Sequence, residues 1–378
     1  MPESAHIVQH EENKPLRIMI SGGGTGGHIY PAISIAQALK RTLDQVQIKF
    51  VGAKGKMEMK KVPEAGFEIE GLWISGLQRR LTIDNLLFPV KLISSITKSF
   101  KLLNRFKPHA VIGVGGYASG PLLIAAVIQG IPTLIQEQNS YAGLTNKWLS
   151  KYVWKICVAH EGMEKYFPAE KIIVTGNPVR TSLKLALDRR TEAYNHFGLK
   201  RDKATLLVIG GSLGARTLNE AIIQQLYTIA SNQLQLIWQC GGFYYEEMIA
   251  RTQDKLPEGV LLRDFIKEMD YAYAAADVVI SRSGALSIAE LMLTGKPSVM
   301  VPSPNVAEDH QTKNAMALVE REAAVMVEDN KAREHMIAAA IEILENKAQC
   351  KKLSENIEAM AHPNASQEIA NEIIKMVA

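Results

Sequence analysis

The sequence predicts an α/β protein with two Rossmann-like domains, each built on a parallel sheet. Short β-rich segments alternate with helical patterns along nearly the whole chain, as they do in successive βα units. Each half also opens with a strand that runs into glycines and then a helix, at Gly22–Gly27 and again at Gly210–Gly214. Ligands bind at the carboxyl ends of the strands in such sheets, so we expect both glycine turns to face a cleft that separates the domains.

The strand pattern consists of two series. The first covers residues 17–21, 47–52, 110–115, 133–137, 155–159 and 172–176, and the second covers 205–210, 235–239, 260–265, 277–281, 298–301 and 324–327. Pro178 and a charged run at 188–192 lie between the series, which indicates a linker there. We therefore predict domains at 1–180 and 181–362, followed by an amphipathic helix at 363–378.

Length and composition are those of a globular protein. The 378 residues are 47% hydrophobic and 22% charged, which excludes collagen-like, low-complexity and mostly disordered chains. No run of 18 apolar residues is present, and the polar first 14 residues do not read as a signal peptide. The three cysteines lie far apart, without a CxxC or Cys/His cluster, so we expect a reducing, cytosolic compartment and no metal site.

Charge is uneven along the chain. Residues 1–176 carry 21 Lys and Arg against 13 Asp and Glu, a net charge of +8, whereas the remainder carries −4. Residues 86–103 interleave apolar side chains with lysines, which suits a surface that rests on anionic lipid headgroups. An amphipathic core helix with a solvated basic face is the alternative. Nucleic acid is disfavoured as a partner because the rest of the protein is acidic.

Histidine and polar side chains follow the strands of the first half. His28 closes the first glycine loop at the start of a helix that we predict from about Tyr30. The positive end of a helix dipole favours neutral imidazole, which can act as a general base, although a capping or packing role is the alternative. A glycine cluster at 113–121 and the segment Gln136–Asn139 follow two further strands. Their polar groups are of the kind that binds sugars and diphosphates, unless Asn139 merely caps the next helix.

The second half contains a comparable strand-to-helix turn at Ser281–Glu290. Helix N–H groups after its glycine can hold a phosphate. Glu290 would lie about one turn inside that helix, where a carboxylate can accept both ribose hydroxyls; a simple favourable acid near a helix N-terminus is the alternative. The polar segment 308–311 precedes a helix predicted at 313–322, or is a solvated loop. NAD is disfavoured because Phe50–Ala53 ends the second strand without an acid.

Seven segments of the chain are distinctive in combination. They are GGGTGGHIYPAISIAQAL (22–39), GVGGYASGP (113–121), QEQNSYAGLTNKWLSK (136–151), TGNPVR (175–180), GGSLGARTLNE (210–220), DFIKEMDYAYAAADVVISRSGALSIAEL (264–291) and EDHQTKNA (308–315). These segments closely resemble the MurG family of bacterial UDP-GlcNAc:lipid I N-acetylglucosaminyltransferases. They stand in the family's order over nearly the whole chain, so together they are highly specific.

The resemblance implies a GT-B fold, with two Rossmann-like domains separated by a cleft and the final helix returning to the first domain. It implies inverting transfer of GlcNAc from UDP-GlcNAc to the C4 hydroxyl of MurNAc in lipid I, which forms lipid II for peptidoglycan synthesis without a cofactor. The first domain would bind the acceptor at the cytoplasmic face of the inner membrane. Implied partners are UDP-GlcNAc, lipid I, the anionic membrane surface and other cell-wall synthesis and division proteins.

The resemblance also implies roles for individual residues. Ile266 would meet uracil through its backbone, Glu290 the ribose and Gln311 the GlcNAc hydroxyls. The diphosphate and the remaining donor contacts are assigned to Ser212, Ala285, Leu286, Ser287, Ile288, Ala289, Thr25, Gly26, Gly27, Asn139 and Arg180, and the acceptor side to Tyr117 and Lys147. As the catalytic base we predict His28, assisted or replaced by Glu137.

Two positions depart from the family pattern. Gln136 stands where most members have His, and Leu213 where most have Gln. Gln136 removes a titratable candidate and so favours His28, and Leu213 leaves a backbone N–H as the expected phosphate contact. Two other functions stay open: a UDP-GlcNAc 2-epimerase or another transferase of this fold, and a non-catalytic sugar-nucleotide sensor or scaffold that binds UDP-GlcNAc without turnover.

Overall fold

A computed structural model describes residues 15–76, 86–180, 183, 187–211, 213–252, 256–306 and 309–378. The chain divides into two compact units, which we call the first unit (Met1–Val179 with Asn364–Ala378) and the second unit (Arg180–Pro363). Each unit contains one parallel sheet with helices packed on it, which confirms the predicted pair of Rossmann-like folds.

The strands, in chain order, are β1 (Leu16–Ser21), β2 (Val46–Ala53), β3 (Glu68–Leu72), β4 (Ala110–Gly113), β5 (Thr133–Glu137), β6 (Lys155–Val158), β7 (Ile172–Val174), β8 (Thr205–Ile209), β9 (Gln235–Gln239), β10 (Val260–Arg263), β11 (Val278–Ser281), β12 (Ser298–Met300) and β13 (Val325–Met326). The described helices are α1 (Gly26–Thr42), α2 (Glu58–Glu64), α3 (Phe88–Phe106), α4 (Ser119–Ile128), α5 (Leu144–Leu149), α6 (Arg190–Phe197), α7 (Arg216–Ser231), α8 (Tyr245–Thr252), α9 (Met269–Ala275), α10 (Ala285–Thr294), α11 (His310–Val319), α12 (Ala332–Glu345), α13 (Lys347–Ala359) and α14 (Ala365–Val377).

Strand order fixes where each sheet can bind a ligand. The first sheet runs β3-β2-β1-β4-β5-β6-β7 and the second runs β10-β9-β8-β11-β12-β13, with parallel pairing throughout. The order reverses between β1 and β4 in one sheet and between β8 and β11 in the other. Open α/β sheets bind ligands at such switch points, outside the carboxyl ends of the strands. Both predicted glycine loops follow a strand at a switch point.

One strand was not predicted from the sequence. β3 reads EIEGL, and it is polar because it forms the edge of the sheet and pairs only with β2. Two predicted helix starts were also late. α1 begins at Gly26 rather than near Tyr30, so His28 lies in its first turn, and α11 begins at His310 rather than Lys313. In both cases polar or glycine residues form a first turn that carries no apolar periodicity.

The two faces of the first sheet are buried against different helices. Along β1, Ile18 and Ile20 point into a core with α1 and α14, while Met19 points into a core on the other face. Ile369 and Ile373 of α14 are fully buried in the former core, which confirms the predicted amphipathic helix. Burial of one such side chain contributes about 1.5–3 kcal/mol, so α14 is an integral layer of the first unit.

An apolar stripe is exposed just before helix α3 and along its first turns. Leu86, Val90 and Ile93 are 80%, 55% and 66% exposed, whereas Lys91 is buried and its Nζ lies 3.1 Å from Ser75 Oγ. The Lys98 ammonium is also engaged within the first unit, since its Nζ donates to the Gly71 carbonyl at 2.8 Å. The solvated face of α3 is therefore apolar in its first turns, not uniformly basic. No helix within the described residues is long and apolar enough to span a bilayer.

Candidate functional site

A buried carboxylate holds the first glycine loop. Glu58 of α2 is fully buried, and its two oxygens accept the N–H groups of Gly24 at 3.0 Å and Ala53 at 2.9 Å. Gly24 has a φ of +87°, and a Cβ on Gly23 would lie 2.2 Å from Glu58 Oε1. Glycine is therefore required beside this carboxylate. Sequence reasoning missed Glu58, although it is the one acid in a lysine-rich stretch after the second strand.

The switch point of the first sheet orients the His28 ring. Nδ1 of His28 lies 3.0 Å from Oε1 of Gln138, and Nε2 of Gln138 donates to the Val114 carbonyl at 2.7 Å. Because the amide nitrogen faces that carbonyl, the amide oxygen faces the ring, and His28 must donate through Nδ1. In neutral His28 the lone pair is consequently on Nε2, which can accept a proton.

The surroundings of His28 favour its neutral form. Burial lowers the pKa of His28 below its ordinary value of 6.5, and this effect outweighs the carboxylate of Glu137 and the hydrogen bond to Gln138, which raise it. Glu58 raises the pKa to a smaller extent. His28 therefore combines a neutral ring near pH 7 with carboxylates that can stabilise the cation once a proton has been taken.

Glu137 is buried and engaged on both oxygens. Oε1 accepts the N–H of Asn139 at 3.1 Å, and Oε2 accepts the N–H of Gly143 at 3.1 Å and the Asn146 amide at 2.9 Å. Asn139 does not cap a helix, because α5 begins after Gly143. The carboxylate thus fixes the loop that follows β5, and this arrangement favours Glu137 as a support for His28 over Glu137 as the base.

The two acceptor-side candidates have different surroundings. Tyr117 lies against the first glycine loop, since a Cβ on Gly24 would be 3.3 Å from its hydroxyl, and burial together with Glu58 raises its pKa. Lys147 on α5 lies over two rings, 3.9 Å from the centre of Tyr141 and 4.6 Å from that of Tyr166. The structure therefore places Tyr117 beside the glycine loop and engages Lys147 in cation–π contacts. Thr25, which precedes α1, is exposed.

The second glycine loop is also shaped by backbone contacts. Gly211 and Gly214 have φ values of +82° and +79°, and a Cβ on Gly214 would lie 1.9 Å from the Cys240 carbonyl oxygen. Position 214 must therefore be glycine for the loop to pack against the residue that follows β9. Ser212, the predicted diphosphate contact, lies outside the described residues, and Leu213 beside it is 71% exposed.

Glu290 lies in the second turn of α10, as predicted, and is half-buried. Its Oε2 accepts the hydroxyl of the fully buried Tyr273 at 3.0 Å. Burial raises the pKa of Glu290, while the charge of Arg180 and the Tyr273 hydrogen bond lower it. The structure thus brings Arg180 and Glu290 into one electrostatic environment, and Tyr273, which the sequence did not single out, orients the carboxylate.

The start of α10 presents backbone N–H groups that its own helix does not use. Gly284 precedes the helix, and Ile288 N–H already donates back to its carbonyl at 3.0 Å. The N–H groups of Leu286 and Ser287 belong to the first turn, where a helix offers them no internal acceptor. They are available to an anion at the positive end of the helix dipole.

Gln239 at the end of β9 was missed by sequence reasoning. Its Oε1 accepts the Ile266 N–H at 2.9 Å, and its Nε2 lies 3.2 Å from the Gly211 carbonyl. It therefore joins the loops that follow β8 and β10.

Gln311 lies in the first turn of α11 and accepts the Ser303 N–H at 2.9 Å. Within the described part of the chain, no group of three His, Cys, Asp or Glu side chains is placed to hold a metal ion.

Comparison with known proteins agrees with this geometry. A relative from Cytophaga hutchinsonii is 53% identical over 97% of this chain and 98% of its own length, and one from Parabacteroides distasonis is 52% identical over 96% and 98%. Both are named UDP-N-acetylglucosamine:N-acetylmuramyl-(pentapeptide) pyrophosphoryl-undecaprenol N-acetylglucosamine transferase.

Solved structures show the same fold. The crystal structure of MurG from Acinetobacter baumannii matches with a TM-score of 0.73 and 30% identity, covering 96% of this chain and all of that one. UDP-GlcNAc 2-epimerase from Neisseria meningitidis matches with a TM-score of 0.65 at 14% identity over 95% of this chain and all of that one, a likeness of fold alone. The resemblance to the MurG family is confirmed over nearly the whole chain.

Residues 18–158 match the N-terminal domain of glycosyltransferase family 28, and residues 205–373 match its C-terminal domain. These two matches cover the second sheet, the first sheet apart from β7 and the start of β1, both glycine loops, His28 and Glu290. The chain belongs to glycosyltransferase family 28.

Proposed function

We propose that this glycosyltransferase moves GlcNAc from UDP-GlcNAc to the C4 hydroxyl of MurNAc in lipid I, forming lipid II with a β-1,4 bond. Relatives more than 50% identical over nearly the whole chain carry this activity in their names. Among the structural observations, the fixed tautomer of His28 supports a transfer reaction most directly, because it leaves Nε2 as a proton acceptor.

In the proposed reaction the acceptor hydroxyl attacks the anomeric carbon of the donor with inversion. Nε2 of His28 takes the hydroxyl proton as the new C–O bond forms, and the electron pair of the breaking bond moves to the diphosphate oxygen of UDP. Glu137 and Glu58 stabilise the imidazolium that results, since both carboxylates favour the charged ring. Gln138 acts as a positioning residue that holds Nδ1.

The second unit is proposed to bind the donor. Glu290 accepts ribose hydroxyls while Tyr273 holds its Oε2, and the first turn of α10 binds the diphosphate through backbone N–H groups. Arg180 adds positive charge to the leaving group as the bond breaks. Because the Ile266 N–H donates to Gln239, a uracil ring would hydrogen-bond to the Ile266 carbonyl oxygen.

The remaining donor contacts are carried over from the family resemblance. They are Thr25, Gly26, Gly27, Asn139, Ser212 and Gln311. Gly26 and Gly27 are the first residues of α1, so their N–H groups belong to a turn that has no internal acceptor. Gln311 already uses its amide oxygen on Ser303, which leaves the amide NH₂ as the group for a sugar hydroxyl.

The apolar start of α3 is proposed to contact the anionic membrane that carries lipid I, at its cytoplasmic face. Val90 and Ile93 are exposed in the first turns of α3 and Leu86 is exposed just before it, as expected of a segment that buries apolar side chains at the lipid interface. Lys101 is exposed two turns further along and can approach anionic headgroups. Insertion of this stripe would hold the first unit beside an acceptor that cannot leave the bilayer.

A product assay tests the proposal. Purified protein is incubated with radiolabelled UDP-GlcNAc, with and without lipid I in anionic vesicles, and UDP release is measured together with radiolabel in the lipid. We expect labelled lipid II and equimolar UDP only when lipid I is present. Formation of UDP-ManNAc without acceptor would establish a 2-epimerase, and UDP-GlcNAc binding without turnover would establish a sensor; either would overturn the proposal.

A further inference from the structure

A cavity of about 590 Å³ opens in the second unit, at the end of the strands opposite to the one that carries the proposed donor contacts. Its wall includes Asp277, which immediately precedes β11, and Pro297, which immediately precedes β12. The cavity therefore lies at the amino ends of the strands, whereas the proposed donor contacts follow the carboxyl ends. Its volume falls within the range of about 300–1,000 Å³ that is usual for small-molecule sites.

The charged lining of this cavity is predominantly positive. Four cations and two carboxylates contribute to it: Arg190, Lys296, Lys347, Lys351, Asp277 and Glu355. Arg190 pairs with Asp277 at 2.5 Å, and Lys351 lies 3.6 Å from Glu355. The other oxygen of Asp277 accepts the Thr205 N–H at 2.8 Å, so this carboxylate is fully engaged. Two positive charges, Lys296 and Lys347, consequently have no carboxylate partner among the described residues.

Lys296 is the more constrained of these two cations. It is half-buried, and its Nζ donates to the Ala276 carbonyl at 2.7 Å, one hydrogen bond for a group with three donors. The pKa of Lys296 is lowered to about 8, first by burial and then by the nearby charge of Arg190, while Asp277 raises it in part. An anion in the cavity would relieve this unfavourable environment.

The second cation stands at a helix N-terminus. Lys347 is the first residue of the thirteen-residue α13, and the preceding Asn346 caps the Gln349 N–H at 3.1 Å. The positive end of the helix dipole adds to the charge of the Lys347 ammonium. The rest of the wall is partly apolar, with contributions from Leu187, Ala274, Pro297 and Leu344.

We propose that this cavity is a second ligand site, which binds a small phosphate monoester through Lys296, Lys347 and the start of α13, with its organic group against the apolar wall. A phosphate monoester is a dianion near neutral pH, so its charge matches the two lysines that have no carboxylate partner. The cavity shares no residue with the proposed base or donor contacts, so the two proposals can fail separately.

Calorimetric titration with phenyl phosphate tests this site in the full chain. UDP is present in excess, so that the proposed donor contacts are occupied. The double variant K296M/K347M is compared with K352M, whose lysine lies on the same helix but outside the cavity and pairs with Glu322 at 2.7 Å. Loss of two charge-assisted contacts should weaken binding about tenfold or more, whereas K352M should stay within about twofold.

Chemical labelling of the unmodified protein gives an independent measurement. Lysines are acylated with a small reactive ester at pH 8, and the rate at each site is followed by mass spectrometry with and without phenyl phosphate. We expect the probe to slow labelling of Lys296 and to leave Lys352 unchanged. No protection of Lys296, no heat at about 10 mM probe, or equal weakening in K352M and K296M/K347M would overturn the proposal.

Discussion

Nδ1 of His28 donates to the side-chain oxygen of Gln138 at 3.0 Å, and this hydrogen bond joins residues 110 positions apart in the chain. Gln138 cannot reverse its amide without losing its 2.7 Å contact to the Val114 carbonyl. The ring is therefore fixed in one tautomer by a neutral partner. That arrangement leaves Nε2 basic without the strong charge that a carboxylate partner would impose.

Replacement of Gln138 tests whether it positions the ring. Gln138→Leu removes the acceptor for Nδ1–H, so the tautomer and orientation are no longer fixed, and we expect kcat to fall about 10- to 100-fold. Affinity for UDP-GlcNAc should be unchanged. Gln138→Glu keeps an acceptor but adds negative charge, which raises the pKa of His28 and should move the acid limb of the kcat profile to higher pH.

The environment of His28 sets the pH at which activity rises on the acid side of the pH profile. A base acts in its deprotonated form, so activity rises as pH increases through the pKa of His28. Because burial lowers that pKa, the midpoint in the wild-type enzyme should lie below 6.5. Unchanged kcat in Gln138→Leu, or identical limbs in Gln138→Glu and the wild type, would show that Gln138 is only a packing residue.

Glu58 should be important for stability. In Glu58→Gln one amide N–H group faces a backbone N–H, either that of Gly24 or that of Ala53, so one hydrogen bond is lost within a buried site. We expect the free energy of unfolding to decrease by about 1–3 kcal/mol in urea titrations. The matched control is Glu68→Gln, an exposed partner of Lys49, which should change stability by less than about 1 kcal/mol. Equal effects of the two substitutions would contradict this role.

Glu290 should determine affinity for the nucleotide. Glu290→Ala removes the proposed acceptor for the ribose hydroxyls, so we expect the Kd for UDP to rise about 10- to 100-fold in calorimetric titrations. Tyr273→Phe leaves Glu290 Oε2 without its hydroxyl partner and should raise Kd by a smaller factor. Glu334→Ala, an exposed acid on α12, serves as the control. UDP affinity that is unaltered in Glu290→Ala would remove Glu290 from the site.

The apolar stripe of α3 should govern binding to vesicles. In L86S/V90S/I93S we expect affinity for anionic vesicles to fall at least about tenfold, because three apolar side chains can no longer enter the interface. Activity on a short soluble acceptor analogue should be retained. The control Tyr227→Ser alters a side chain that is 83% exposed in the second unit. Vesicle binding that survives the triple substitution would rule out this face as the contact.

Much of the fold was predictable because its signals are local. Strands that run into glycines and helices revealed both sheets, and the apolar periodicity of 369–377 revealed the last helix. The edge strand β3 was not predicted because it pairs with β2 alone. Two of its five residues are glutamates, so its sequence lacks the apolar pattern of a buried strand. The polar first turn of α1 likewise lacks the periodicity that marks the rest of the helix.

The site was predictable only in part, for a related reason. His28 and Glu290 follow glycine-marked turns, so the sequence alone singles them out as candidates. Glu58, Gln138 and Gln239 were missed as individual residues, because each acts through hydrogen bonds to loops distant in the chain. No spacing rule links Gln239 to Ile266 or Gln138 to His28. Such partners become visible only when the sheet order places their loops side by side.

The most direct test of the account is the single-turnover rate of His28→Ala with lipid I, measured beside its Kd for UDP-GlcNAc. Loss of the base should lower the rate about 10²- to 10⁴-fold and remove the acid limb of the pH profile, while Kd stays within about twofold of the wild type. A rate near that of the wild type, or a rise in Kd that accounts for the whole loss, would contradict the assignment of His28 as the proton acceptor.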